Sequence, residues 1–252
     1  MLGLEKKVAI ILPNFNSFQF IAETVNSIIN QTYKNWNLII VDDGSDFKTV
    51  KILKKFKSNK KIKTIFLKKN HGAGHCRNQA LKLSKSYYVA FIDSDDTWDK
   101  SKLTKQINFM EKNKISFSYT NYKAFYQSKN KIKKIKIKKK INFNYFINNT
   151  SIATSTMVVE RKKIKNIKFS DTKICEDYFF KCQLLKKIKY AYCFEQYLTK
   201  YRIRKDSLQS NKLANIYWIW KINKFYNKFN FFKNLRSIFF ISLNSLKKYG
   251  FK

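Results

Sequence analysis

An α/β fold built on a largely parallel sheet with flanking helices is predicted by three features of the sequence. Short apolar runs at residues 8–12, 36–41 and 89–92 have the continuous hydrophobicity of strands buried on both faces. Helical spacing and short loops fill the intervals between them, so right-handed crossovers join the strands. Polar residues cluster just after three strands, at 14–16, 42–45 and 93–96, and in an open sheet of this kind the ligand sits beyond the strand carboxyl ends.

In order, the strand at 8–12 is broken by Pro13 into a loop. Over residues 18–31, Ile21, Val25, Ile28 and Ile29 recur at helical spacing, with Glu23 near the start. The strand at 36–41 ends in Asp42-Asp43-Gly44-Ser45. A helix at 47–56 and a strand at 62–67 continue the alternation, and Asn70-His-Gly-Ala-Gly-His-Cys-Arg77-Asn78 opens a helix that runs through Leu83. The strand at 89–92 then stops in three carboxylates, Asp93, Asp95 and Asp96. Unpaired, these repel one another; a divalent cation that prefers hard oxygen relieves the repulsion and keeps positions open for phosphate. Asp96, Thr97 and Asp99 also suit an acidic turn that caps the next helix. A helix at 100–113 and a strand at 116–126 follow. Residues 131–140 interleave Lys with Ile132, Ile135 and Ile137, as either a hairpin edge guarded by charge or a basic surface facing anions does. A strand at 152–159 and a helix at 177–186 come next, and from Ile216 the chain is helical and aromatic.

A chain of 252 residues holds one sizeable core with room for an appended tail. Its 53 Lys and Arg against 16 Asp and Glu leave a net charge of +37, which points to an anionic partner. Lys, Asn, Ile, Phe and Tyr are overused together while Gly, Pro and Ala are scarce, the joint bias of an AT-rich coding sequence. Lys also far outnumbers Arg, the residue that reads bases and phosphates bidentately, so nucleic acid is a poor match. Cys76, Cys175, Cys182 and Cys193 have no paired spacing, as reduced thiols of a cytoplasmic protein do not need one. The apolar run before Pro13 is too short for the core of a signal peptide. The uncharged stretch 141–159 is too rich in Asn, Ser and Thr to span a membrane.

Several motifs are ruled out. Gly72-Ala73-Gly74 begins like a dinucleotide fingerprint, but Arg77 stands where the third glycine belongs. There is no Walker lysine loop. His71 and His75 enclose Gly-Ala-Gly rather than a helix bearing a glutamate base, so they do not read as a zinc-protease pair.

What remains resembles glycosyltransferase family 2, whose fold is of the GT-A type. Leu12-Pro13-Asn14-Phe15-Asn16 looks like the family's first-strand loop, with Phe15 where Tyr is commoner. Ser27-Ile-Ile-Asn-Gln-Thr-Tyr33 and Val41-Asp-Asp-Gly-Ser45 match nearly verbatim. Asn70 to Asn78 is similar to the glycine-rich segment, with Cys76 in place of alanine. Phe91-Ile-Asp-Ser-Asp-Asp-Thr-Trp98 resembles the metal-binding signature and Cys175-Glu-Asp-Tyr178 the later acidic motif. Tyr201-Arg-Ile-Arg204, followed by Ser207, resembles the last motif, with Arg204 where His is often found.

The resemblance implies a nucleotide-diphosphate sugar donor, a saccharide or lipid-linked acceptor, and transfer with inversion at the anomeric carbon. It divides the chain into a donor-binding half at 1–115, an acceptor-binding half at 116–210 and a basic, aromatic tail at 211–252. It places Pro13 and Phe15 on the base, with Asn16 beside them. Asp43 then accepts from base or ribose with Asp42 alongside, unless both merely cap a turn. Arg77 either reaches the diphosphate or pairs with Asp93 or Asp42. Asp95 is the first-choice ligand of Mg²⁺ or Mn²⁺, with Asp93 and Asp96 completing the candidate set. Asp177 is the expected general base, with Glu176 as the alternative, because the attacking hydroxyl must lose its proton. Arg202 and Arg204 either bind diphosphate or serve the structure.

Surface polysaccharide, lipopolysaccharide or glycoprotein glycan assembly is the setting this implies, in the cytoplasm or on the cytoplasmic face of the membrane. Rival classes are a nucleotidyltransferase and a non-catalytic basic protein that binds nucleic acid or membrane. In the tail, a helix over residues 216–232 would align Trp218, Ile222, Phe225, Phe229 and Phe232, with Lys221, Lys224 and Lys228 beside them. That stripe suits an anionic membrane interface, or else the protein's own core.

Overall fold

The computed structural model describes residues 6–204 and 211–249; Ser207 lies outside them. Four parallel strands, β1 (Val8–Asn14), β2 (Trp36–Asp42), β3 (Ile62–Phe66) and β4 (Tyr88–Phe91), stand in the order β3-β2-β1-β4. They are joined by α1 (Ile21–Ile29), α2 (Phe47–Lys54) and α3 (Ala73–Leu83). The chain then forms β5 (Thr97–Trp98), α4 (Lys102–Lys112), β6 (Phe117–Tyr126), β7 (Lys131–Ile135), β8 (Lys140–Asn142), α5 (Phe143–Phe146), β9 (Val158–Glu160), α6 (Arg161–Ile164), α7 (Glu176–Ile188) and β10 (Tyr190–Ile203). The sheet continues from β4 through β9, β6 and β10 to β5. β9 runs antiparallel to both β4 and β6, and β10 runs parallel to β6. At the margins β7 pairs with β6 and β8 with β10.

Alternate residues of β1 serve opposite layers, which is why that strand has no polar face. Val8, Ile10 and Leu12 pack with Val25 and Ile28 of α1 and with Leu103 and Ile107 of α4. Ile11 joins the other layer, with Ala80 and Leu81 of α3 and Phe180 and Leu184 of α7. Pro13 does not break β1: it is buried within the strand, opposite Val41. It shares the direction of Ile11, whose carbonyl accepts from the Ile92 N–H, and β4 has ended by the level of Pro13. The missing amide proton therefore forfeits no ladder bond.

The expected strand at 152–159 shortens to β9, because Thr154–Thr156 forms a 3₁₀ turn whose side chains bond inward. The 14-residue β10 was not expected; its burial alternates irregularly and its pairing with β6 shifts register twice. The single helix expected over 216–232 is two helices, α8 (Lys212–Lys221) and α9 (Phe231–Tyr249), separated by a π-helical turn at Ile222–Tyr226 and by Lys228 with φ of 58°. The break follows from buried amides: Asn223 Nδ2 donates to Asn234 Oδ1 and Ser237 Oγ, each at 3.1 Å, which folds α9 back on the turn. Ile222 and Phe229 enter the core while Phe225 and Phe232 stay exposed.

Lys102 is fully buried on α4, donating to Gln106 Oε1 at 2.9 Å with its ammonium 4.0 Å from the centre of the Trp98 ring. Burial pushes its pKa down to about 7. The unfolded chain, with an ordinary lysine, binds more protons between about pH 7 and pH 10, so this group makes stability rise with pH across that window. Lys102→Met is expected to be more stable than the wild type at pH 6.5 by about 2 kcal/mol, with the gap closing towards pH 10. Urea denaturation at both pH values checks this; a pH-independent difference would mean that the lysine charge is not the cause.

Candidate active site

At the carboxyl end of β1 and β2 the polar residues first bind one another. Asp42 is buried, and its Oδ1 accepts from Asn14 Nδ2 and Ser45 Oγ, both at 2.6 Å. Asn14 Oδ1 in turn accepts from Ser17 Oγ. Asn16 takes the left-handed conformation at φ 45°, which Asn tolerates, and its Oδ1 accepts the Asp46 N–H at 2.8 Å. Asp43 accepts the backbone N–H groups of His71 at 2.9 Å and Gly72 at 2.7 Å, so it clamps the loop before α3. Neither aspartate caps α2, whose first turn is closed by Asp46 accepting from the Thr49 N–H. Above this framework Phe15 is about half exposed, whereas Pro13 lies beneath it.

The carboxylates after β4 diverge. Asp93 points to Arg77, whose Nη2 lies 2.6 Å from its Oδ1, and its backbone N–H donates to Ser155 Oγ at 3.0 Å. Asp95 Oδ2 lies 3.0 Å from Arg204 Nε. Asp96 turns into the protein, fully buried, and its Oδ1 accepts the Arg202 N–H at 2.8 Å. Arg202 closes the same knot: Nε donates to the Asp95 carbonyl at 2.9 Å and Nη2 to Glu23 Oε2 at 2.6 Å. Its contacts are those of a strut between β10, the acidic turn and α1, not those of a free diphosphate ligand.

Arg77 is likewise committed. It is buried, and its Nη1 reaches Glu176 Oε1 at 2.5 Å while Nη2 holds Asp93, so it joins α3, β4 and α7. Burial would lower its pKa, but Asp93 and Glu176 outweigh that and raise it. The reading in which Arg77 touches diphosphate gives way to the ion pair, because two carboxylates already occupy the guanidinium. Gly74 permits this arrangement: a Cβ there would stand 2.5 Å from the Ser170 carbonyl and 2.9 Å from Glu176 Cγ, so α3 and the start of α7 could not approach as they do.

Asp177, the second residue of α7, accepts from Lys181 Nζ at 2.6 Å and Thr154 Oγ1 at 2.7 Å. Both bonds fall on Oδ2. Burial would raise this carboxyl, but the Lys181 ammonium, aided by Thr154 and Arg77, holds it well below the usual carboxylate range. Lys181 and Thr154 were not singled out from the sequence, although the i, i+4 spacing of Asp177 and Lys181 on an expected helix is a readable signal.

Among the described residues no group of three acidic, His or Cys side chains converges as a metal centre. Asp96, expected in the candidate set, instead turns inward: it is fully buried and its Oδ1 holds the Arg202 N–H. Asp93 and Asp95 remain partly exposed, at 29% and 19% of their side chains. Burial, then the Asp93 charge, pushes the Asp95 carboxyl up to about 6, opposed by Arg204. Asp93 and Asp95, each paired to one arginine and each still partly exposed, offer hard oxygens that fit Mg²⁺ or Mn²⁺ when phosphate supplies the others.

Residues 9–168 match the family model described as Glycosyl transferase family 2. The "Putative teichuronic acid biosynthesis glycosyltransferase TuaG" of Bacillus subtilis is 32% identical over 243 residues, covering 96% of each chain. The "UDP-Glc:alpha-D-GlcNAc-diphosphoundecaprenol beta-1,3-glucosyltransferase WfaP" of Escherichia coli is 37% identical over 213 residues, covering 83% of this chain and 82% of its own. Among solved structures, S. aureus TarS 1-349 in complex with UDP-GlcNAc superposes with a TM-score of 0.75 at 20% identity, covering 98% of this chain and 73% of that one. The mannosyltransferase PcManGT from Pyrobaculum calidifontis, in complex with GDP-Man and Mn²⁺, gives 0.70 at 11% identity, with 99% and 77% covered. The structural likeness shows the GT-A fold, and the sequence matches, one of them along nearly the whole chain, show the rest: this protein belongs to glycosyltransferase family 2.

Proposed function

We propose that this glycosyltransferase moves a sugar from a nucleoside-diphosphate donor to a saccharide or lipid-linked acceptor, inverting the anomeric centre. The observation that carries the reading is the Arg77 bridge, which ties Asp93, beside Asp95, to Glu176, beside Asp177. A single displacement needs charge stabilisation on the leaving side and a proton acceptor on the attacking side, held at a fixed spacing. In this reading Phe15 stacks on the base and the half at 1–115 holds the donor, while 116–210 frames the acceptor. A Mg²⁺ or Mn²⁺ ion on Asp95 and Asp93 would supply the charge that stabilises the departing diphosphate. Arg204, partly exposed beside Asp95, adds positive charge at the same place.

Asp177 is the general base. Lys181 and Thr154 both occupy Oδ2, which orients the carboxylate, keeps it ionised and leaves Oδ1 to take the acceptor proton. Its low pKa makes it a mild base, suited to a hydroxyl that becomes strongly acidic only as the bond to the anomeric carbon forms. The names of the relatives support a lipid-linked acceptor, since WfaP is named for a diphosphoundecaprenol substrate and TuaG for teichuronic acid biosynthesis. Surface polysaccharide assembly at the cytoplasmic face of a membrane is the corresponding setting. Incubating the protein with a panel of nucleotide sugars and Mn²⁺ tests the reaction class. Release of nucleoside diphosphate is expected; release of pyrophosphate would mean nucleotidyl transfer, and release of neither across the panel would mean a binding protein.

A further inference from the structure

Helix α9 carries two stripes on opposite sides. Asn234, Ser237 and Ile241 are buried, and the Ser237 hydroxyl donates to the Ile147 carbonyl at 2.5 Å while Asn244 Nδ2 donates to the Asn148 carbonyl at 3.0 Å. With about 3.6 residues per turn, Phe232, Leu235, Phe239 and Leu243 fall on the far side of the helix. All four are exposed, Phe232 by 79% and Phe239 by 58%. A contiguous apolar stripe turned to water marks a surface that meets an apolar partner.

Charge identifies that partner. Residues 211–252 contain eight lysines, one arginine and no acidic residue. Exposed Lys233, Arg236 and Lys247 lie on the flank between the two stripes. At the far end of the helix, Lys133 of the lysine-rich β7 donates to the Lys248 carbonyl at 2.6 Å, which ties the end of α9 to the body. A second copy of the chain meeting this face would press two basic segments together, and a nucleic acid offers no apolar phase. An anionic bilayer provides both at headgroup depth. No helix among the described residues is long and apolar enough to cross a membrane, so the contact is interfacial.

We propose that the outward face of α9 docks on an anionic lipid bilayer, which deepens the reading of a lipid-linked acceptor and takes its purpose from it. The hairpin lies directly behind the catalytic helix: Tyr178, next to Asp177, donates its hydroxyl to Asn223 Oδ1 at 2.8 Å. Docking therefore holds the acceptor side of the cleft close to the surface from which a lipid-borne sugar projects.

Vesicle flotation of the full chain tests this without measuring transfer, so it is independent of the donor screen. The wild type is expected to float with vesicles of equal parts phosphatidylcholine and phosphatidylglycerol and not with phosphatidylcholine alone. Phe232→Ser/Leu235→Ser/Phe239→Ser, which alters only exposed side chains, is expected to bind at least about tenfold more weakly with its melting temperature unchanged. A wild-type measurement needs no variant. Brominated lipid should quench Trp220 of α8, whose ring lies 5.7 Å from that of Phe231 at the start of α9, whereas Trp36 and Trp98 are buried in the body at 4% and 5% exposure. Undiminished binding by the triple variant, or bound wild type with unquenched tryptophan, would overturn the proposal in favour of attraction by the general lysine excess. A wild-type dimer that the triple variant dissociates would overturn it in favour of a second copy of the chain.

Discussion

Asp177→Asn lowers turnover by on the order of 10²–10⁴ while donor binding is kept, because the amide preserves size but accepts no proton. The substitution has a second effect that must be separated from the first. It leaves Lys181 buried without its counter-charge, and breaking a buried pair from one side costs several kcal/mol. Asp177→Asn/Lys181→Met removes both charges, and it should regain the stability but not the rate. Lys181→Met alone supplies the converse. It retains the base but loses the ammonium that lowers it, so the Asp177 pKa rises and the acidic limb of the kcat/KM profile moves to higher pH. Single-turnover rates, melting temperatures and pH profiles of the three variants distinguish these effects. Near-normal chemistry in Asp177→Asn would move the base elsewhere, with Glu176 next, although Glu176 is already bound to Arg77.

Asp95→Asn is expected to abolish measurable turnover and to make nucleoside diphosphate binding insensitive to Mn²⁺. An ion that stabilises a leaving diphosphate contributes several kcal/mol to the transition state, which corresponds to roughly 10²–10³ or more in rate. The amide keeps an oxygen for coordination but not the charge. Calorimetry of nucleoside diphosphate with and without Mn²⁺ is the direct measurement. Unchanged metal dependence would show that Asp95 is not the principal ligand. Asp96→Ala should differ sharply, since it removes the oxygen that accepts the Arg202 N–H: it should lower the melting temperature and leave the Mn²⁺ dependence intact.

Elements buried on both faces were legible because burial on both sides writes an unbroken apolar run, as in β1 and β2. β10 was not, because its residues alternate between layers and solvent around a register shift, and that mixture reads as neither period. The site residues were legible as chemistry but not as partnerships. Pairing of Arg77 with Asp93 stood among the open readings of the sequence, but its bond to Glu176 did not, because it depends on a contact between residues 99 apart. Likewise, nothing local separates Asp95 from Asp96; the turn into β5 decides which faces outward. In the tail the apolar spacing was readable, but the buried amide network of Asn223 that breaks the helix was not, since its partners Asn234 and Ser237 lie in the next helix and no local pattern announces them.

The bridge at Arg77 also bears on how the chain is made. A ribosome that has just finished residue 115 has produced the parallel strands, Arg77 and Asp93, but not Glu176. The residues that cover the guanidinium, Phe169 and the start of α7, belong to the same later segment as Glu176. Burial of the charge and supply of its second counter-ion are therefore one event, which avoids the cost of a buried arginine left half paired. The early half is complete only when the segment bearing Glu176 and Asp177 packs against it.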